Sequence, residues 1–248
     1  MKIRYLALLV LFPFFLRASD YNAVVLEQIK SMPQGGGYSA SSSATANLRA
    51  AMTPDAGRLE VNPAHAMPSY CSGATYLVFL KTLGELAKRG EISLSPEVIA
   101  ALRVQHQRDG DGAWGRWNAN GPGTARLFAE LGVGKNFASF AEARPGDFMK
   151  VFWNDNIGSR EHGHSVVFLG TENRAGVEYV KYWSSNIPGG YGEKAVPLSR
   201  IHRVIFSRLE QPRNVSRVLT IPKSDAYLAS MLTHDSSWQE VKQKTNIP

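Results

Sequence analysis

The sequence predicts an α+β fold in which N-terminal helices pack on a small antiparallel β-sheet. Three observations predict it. Apolar residues recur at helical spacing through much of the chain before residue 132. From Arg144 onward the pattern changes to short runs rich in Val, Phe, Tyr and Trp, with turn residues between them. The two kinds of element are segregated rather than alternating, which favours separate layers over a parallel βαβ sheet. At 44% hydrophobic and 20% charged residues, 248 residues can build one packed domain of ordinary size. The net charge of +7 suggests anionic surroundings: nucleic acid, a membrane surface or an anionic wall polymer. Solubility and export alone also account for such a charge.

The chain begins Met1-Lys2-Ile3-Arg4, continues with a nearly unbroken apolar run from Tyr5 to Leu16, and then reads Arg17-Ala18-Ser19. Positive charge, a short apolar run and a small residue make a secretory signal over 1–18. The run is too short to span a bilayer, and Pro13 interrupts it. The expectation is an exported protein, periplasmic or secreted, without stable membrane insertion. An uncleaved N-terminal anchor is the competing reading.

Residues 19–58 form an N-terminal helix and a Gly/Ser-rich segment. Tyr21, Val24, Val25, Leu26 and Ile29 are spaced as a short amphipathic helix that Pro33 ends. Residues 34–46 read as a loop. Its Gly35-Gly36-Gly37 has no Gly-Lys-Ser/Thr after it, so it is not a phosphate-cradling loop. A helical turn is expected from Asn47 to Met52, stopped by Pro54, and a short strand at Leu59–Val61.

The central helix starts around Ser69 to Ser72, with either serine as cap and Pro68 at the boundary. Its apolar residues cover most of its circumference, so it belongs in the middle of the domain. Gly90 suits its stop. A second helix runs from Ser95-Pro96-Glu97 to about Gln107. Residues 109–123 read as a glycine-rich loop. Its Asp109-Gly110-Asp111-Gly112 start lacks the later acidic ligands of a calcium loop. Trp114 and Trp117 on this loop read either as a wall of a substrate groove or as core beneath it. A third helix spans Gly123 to Leu131, with Thr124 as a possible cap. Strands follow at 147–153, 165–169, 176–183, 196–198 and 204–206. Residues 59–210 thus make the main domain. Residues 211–248 are mixed and polar and read as a C-terminal appendage with one helix around Ser224 to Leu232.

Cys71 is the only cysteine. It lies where a loop turns into the central helix. A helix start aims unpaired N–H groups and partial positive charge at its first residues, which stabilises a thiolate there. An unpaired thiol outside the cytoplasm either works or is buried as a small hydrophobe. A thiolate hydrolase needs a base and a group that orients the base. Of six histidines, His162 and His164 flank Gly163 at the head of a strand. His164 adjoins the strand directly and is the candidate base. The next strand ends Ser184-Ser185-Asn186, and antiparallel pairing brings that end beside His164. Asn186, or Ser184 one pleat step away, is the candidate third group. His162 reads as a loop residue touching substrate.

Three motifs in order carry a resemblance. Tyr70-Cys71-Ser72-Gly73 opens a helix, Arg144-Pro145-Gly146-Asp147-Phe148 opens a strand, and Gly163-His164 leads the apolar strand to Gly170. Over about 60–207 the chain resembles the NlpC/P60 and CHAP superfamily of papain-like cysteine peptidases and amidases. The resemblance implies a papain-like NlpC/P60 fold, with Cys71 as nucleophile, His164 as base and a polar third member on the next strand. It implies an amide or peptide bond as target, typically in peptidoglycan peptides. No cofactor and no metal are expected. The resemblance also implies a tyrosine upstream of the cysteine at the oxyanion site, for which Tyr38 and Tyr70 both stand open. Tyr70 replaces the acidic residue usual before the cysteine, and 90–143 is a long insertion that reshapes the groove. A monomer acting on a peptide substrate is expected, with no nucleic acid as partner.

Two rival readings remain. His162 and His164 on one strand face would suit a cupin-like metal site, but no glutamate follows at the required spacing. A catalytically inactive module would bind wall fragments through Trp114, Trp117 and Trp183.

Overall fold

The computed structural model describes residues 20–55 and 58–248. The signal-like segment 1–18 lies outside them. The chain is mixed α+β, and its antiparallel sheet is larger than the small one expected. Among the described residues it has seven strands.

The N-terminal part contains α1 (Tyr21–Lys30), β1 (Gly35–Gly36), α2 (Ser42–Ala50), β2 (Met52–Asp55) and β3 (Arg58–Val61). The expected loop and the turn at Asn47–Met52 are corrected here. Ser41 caps a two-turn helix by accepting from the Ala44 N–H at 3.2 Å, so the Ser/Ala run is helical from Ser42. Met52 already belongs to a strand, paired with Val61.

The central helix α3 (Cys71–Lys88) begins on the cysteine itself. Its cap is Tyr70 in extended conformation, and neither Ser69 nor Ser72 caps it. Tyr76, Leu77, Val78, Phe79 and Leu80 are all fully buried. The helix packs against α1, β3 and the sheet. Then come α4 (Pro96–Leu102), α5 (Gly112–Asn118) and α6 (Gly123–Leu131). Helix α4 is capped by Ser95 as expected but stops five residues short of Gln107. Thr124 does not cap α6; Pro122 stands in the cap position.

The remaining strands are β4 (Gly134–Phe137), β5 (Phe148–Phe152), β6 (Ile157–Gly158), β7 (His164–Arg174), β8 (Val177–Asn186), β9 (Gly190–Pro197) and β10 (Arg203–Leu209). The sheet order is β1-β9-β8-β7-β5-β10-β4. Strand alternation sorts the side chains. Phe148, Val167 and Trp183 join the core around α3, while Met149, Val166, Phe168 and Tyr182 form a second core on the other face.

Asp147 does more than open β5. Its carboxylate is fully buried, accepts from Arg208 Nε at 2.8 Å and Nη2 at 2.7 Å, and also from Asn22 of α1 at 2.8 Å. Gly146 lets α1 come this close. Its φ is +96°, and a Cβ there would lie 2.6 Å from the Asn22 carbonyl oxygen.

The C-terminal segment holds a 3-10 run (Pro212–Leu219), α7 (Ala226–Ser230), β11 (Asp235–Ser236) and α8 (Trp238–Lys244). It is built into the body rather than appended. Arg126 of α6 donates to Asp225 at 2.6 Å and to the Lys244 carbonyl at 2.9 Å. Val241 and Ile247 share a core with Phe152, Ile157 and Ile205. Among the described residues, no helix is long and apolar enough to cross a membrane.

Candidate active site

The start of α3 is stitched to the sheet from two sides. The Ser69 carbonyl accepts from Ser39 N–H at 2.9 Å and from the Ser185 hydroxyl of β8 at 2.9 Å. Tyr38 forms a parallel bridge with Ser69. Two residues later comes Cys71, the first residue of the helix. It is partly exposed and has no disulfide partner. The His164 ring, the Ser165 main-chain N–H and the Tyr38 hydroxyl are among the groups around it that act on its titration.

Burial alone pushes the thiol up. The His164 hydrogen bond and charge, the Lys150 ammonium and the Ser165 N–H outweigh it and bring Cys71 down to about 6. The sulfur is therefore largely anionic at neutral pH. The Tyr38 hydroxyl also lies against the Cys71 main-chain N–H. Burial and the neighbouring thiol hold the phenol well above its ordinary range, so it stays protonated and able to donate.

His164 opens β7. Its Nε2 lies 3.3 Å from Asn186 Oδ1 at the end of β8. The Asn186 amide nitrogen donates to the carbonyls of Ser184 at 3.2 Å and Gly192 at 2.9 Å. That commitment fixes the amide's orientation and turns its oxygen to the ring. The ring proton then sits on Nε2, and Nδ1 is the atom free to take a proton from sulfur. Tyr182 stands edge-on to the ring, with centroids 5.7 Å apart.

Two cavities meet over this group and share Tyr38, His162 and Gly163. One, of about 260 Å³, is lined by Tyr70, Cys71, Asp109, Asn118 and Lys150. The other, of about 380 Å³, reaches His164, Asn186, Tyr182 and Ile187. The sulfur and the imidazole thus line adjoining cavities that have these three wall residues in common.

The structure brings together Cys71, His164 and Asn186, and places Tyr70 and His162 on the cleft wall. Between the two open tyrosines, Tyr38 touches Cys71, whereas the Tyr70 hydroxyl bonds Thr45 Oγ1 at 3.0 Å. Ser184 is corrected: it is fully buried and its hydroxyl donates to the Ser165 carbonyl at 2.7 Å, away from ring and cleft. Of the two readings of Trp114 and Trp117, the core one holds, and their place as a substrate-binding wall is corrected. Residues 112–118 are helix α5, and both indoles are buried, 2% and 0% exposed, among Tyr76, Phe79 and Phe148. The fully buried Arg116 anchors α5 by donating to the Gly110, Gly112 and Pro222 carbonyls and pairing with Glu130. His162 lies before β7, with Nε2 3.1 Å from the Ser159 carbonyl, not beside His164 on a strand face. Among the described residues, no group of three or more His, Cys, Asp or Glu is placed to hold a metal.

Sequence reasoning missed Lys150. The signal was there: one lysine inside the apolar run Phe148-Met149-Lys150-Val151-Phe152 of a central strand. The chain matches no family model, no curated protein and no solved structure.

Proposed function

We propose that this chain is an exported cysteine hydrolase of papain-like, NlpC/P60 type that cleaves an amide or peptide bond in bacterial cell-wall peptides. The observation that carries the reading is a helix-start cysteine lining a cavity, its thiol lowered by the His164 imidazole, with the Asn186 amide oxygen 3.3 Å from that ring's Nε2.

The chemistry follows from the groups present. The Cys71 thiolate attacks the carbonyl carbon of the substrate. The oxygen becomes an anion and is met by the Cys71 N–H and the Tyr38 O–H, donors of the kind worth ~3 kcal/mol each. His164, carrying the proton from the thiol, gives it to the departing amine, and a thioester remains. Water then gives a proton to His164 and adds to the thioester carbonyl. The sulfur leaves as thiolate, and the acid product departs. Asn186 keeps the ring in one tautomer and orientation throughout.

The alternative, an inactive module binding wall fragments, loses its aromatic platform, because Trp114, Trp117 and Trp183 are all buried. Incubation of the purified protein with peptidoglycan, with mass analysis of the soluble products, tests the proposal. New free amine and carboxyl ends are expected with the wild type and not with Cys71→Ala. Equal release by Cys71→Ala would sink it.

A further inference from the structure

One charge in the cleft has no part in the reaction above. Lys150 sits on β5, beside the head of β7, where Lys150 pairs with Ser165 and Val151 with His164. It is only 4% exposed. Its ammonium donates to two neutral oxygens, Ser165 Oγ at 3.3 Å and the Ala119 carbonyl at 3.5 Å. Among the described residues, no carboxylate lies within 4 Å of it. Yet the side chain reaches the wall of the cavity that holds Cys71.

The path for that side chain is kept clear by Gly163. Its φ is +77°, and a Cβ there would stand 2.5 Å from Lys150 Cε and 2.7 Å from Phe152. The glycine before the candidate base therefore serves the lysine as much as the turn.

A buried ammonium without a counter-charge is costly, and burial pulls Lys150 toward its neutral form. Of the anions around it, Cys71 acts most strongly to keep it charged, ahead of Asp109 and Glu161. The other titratable groups facing the sulfur are His164, Tyr38 and Tyr70, with His162 on the cleft wall.

We propose that Lys150 is a positioning residue for the reaction: a fixed second cation that holds Cys71 as the thiolate whatever the charge on His164. The proposal rests on the reading of Cys71 as nucleophile. It has a corollary. Acylation turns the thiolate into a neutral thioester and strips Lys150 of its counter-charge, so the same cation favours the sulfur's departure in the second half of the cycle.

The test uses the full chain and needs no substrate. Iodoacetamide forms a bond from sulfur to its methylene carbon and releases iodide; a single cysteine makes the labelling unambiguous. The alkylation rate is followed from about pH 5 to pH 9 for wild type, Lys150→Met and Lys150→Arg, with folding checked by circular dichroism. The wild-type rate should reach half its plateau near pH 6. Lys150→Met should move that midpoint up by about one unit, as loss of one close charge does, and Lys150→Arg should restore most of the shift. A folded Lys150→Met with the wild-type midpoint overturns the role of Lys150 alone. A wild-type midpoint at the free-thiol value of about 8.5 overturns the nucleophile reading with it. Should Lys150→Met not fold, Lys150→Gln, whose amide can keep the bonds to Ser165 and Ala119 without the charge, decides: its midpoint must rise in the same way if the charge acts, and stay at the wild-type value if it does not.

Discussion

The Asn186 amide oxygen lies 3.3 Å from His164 Nε2, while its amide nitrogen is spent on two main-chain carbonyls. The amide cannot turn over without losing two hydrogen bonds, so it can hold only one tautomer of the imidazole. Asn186→Ala should lower kcat/KM for a wall peptide about tenfold or more. The loss should stay below the ~10²–10⁴-fold that removal of a general base itself costs. Steady-state hydrolysis beside His164→Ala measures both, and an Asn186→Ala enzyme with full activity would rule out Asn186 as the third member.

His164, Lys150 and the Ser165 N–H outweigh burial and bring the Cys71 thiol down to about 6 in the folded protein, below the free-thiol value of about 8.5. A depressed folded value adds stability that is complete above the unfolded thiol's pKa and is lost as pH falls through about 6. The difference in Tm between wild type and Cys71→Ser should therefore widen in favour of the wild type between pH 6 and pH 9. Thermal melts at several pH values measure it, and a constant difference across that window would show the thiol unperturbed.

Tyr38 places its hydroxyl where both the Cys71 main-chain N–H and the thiol act on it. Tyr38→Phe should reduce kcat by about a hundredfold, the scale of one lost oxyanion donor, with little change in KM. A rise in KM at constant kcat would assign the hydroxyl to substrate binding instead.

Asp147 is a fully buried carboxylate paired with Arg208 and bonded to Asn22. Asp147→Ala leaves a buried guanidinium unpaired and unhooks α1. It should cost about 3–5 kcal/mol, read by urea unfolding. Replacing Asp147 and Arg208 together by apolar residues should recover part of that loss.

Much of this geometry could be read before any coordinates. α3 and α6 were legible because dense apolar residues at helical spacing leave no other solution, and the 123–131 boundaries follow from glycines at both ends. Asn186 was legible because a β7–β8 hairpin fixes which residues face each other. The bulge in that hairpin falls between Phe168 and Gly170, beyond the site, so counting from the strand heads still worked. Helix α5 was not legible. Its seven residues carry two glycines, and what holds it in place is Arg116 gripping the nearby Gly110 and Gly112 carbonyls and the distant Pro222 carbonyl. Reading this stretch as a loop left Trp114 and Trp117 open between groove wall and core, since indoles on a loop and indoles under a helix look alike in one dimension. Strands β1 and β4 are short and exist through their partners, Tyr191 and Gly190 for β1 and the end of β10 for β4.

Strand β1 puts Tyr38 where it is. Gly35 and Gly36 can join the sheet only at β9, about 150 residues later in the chain. That wall of the pocket is therefore built from two strands far apart in the chain, a contact of high sequence separation. A chain cut between α3 and β9 keeps the sulfur and the helix tip but lacks the strand that β1 pairs with, so this side of the cavity depends on residues far downstream of both.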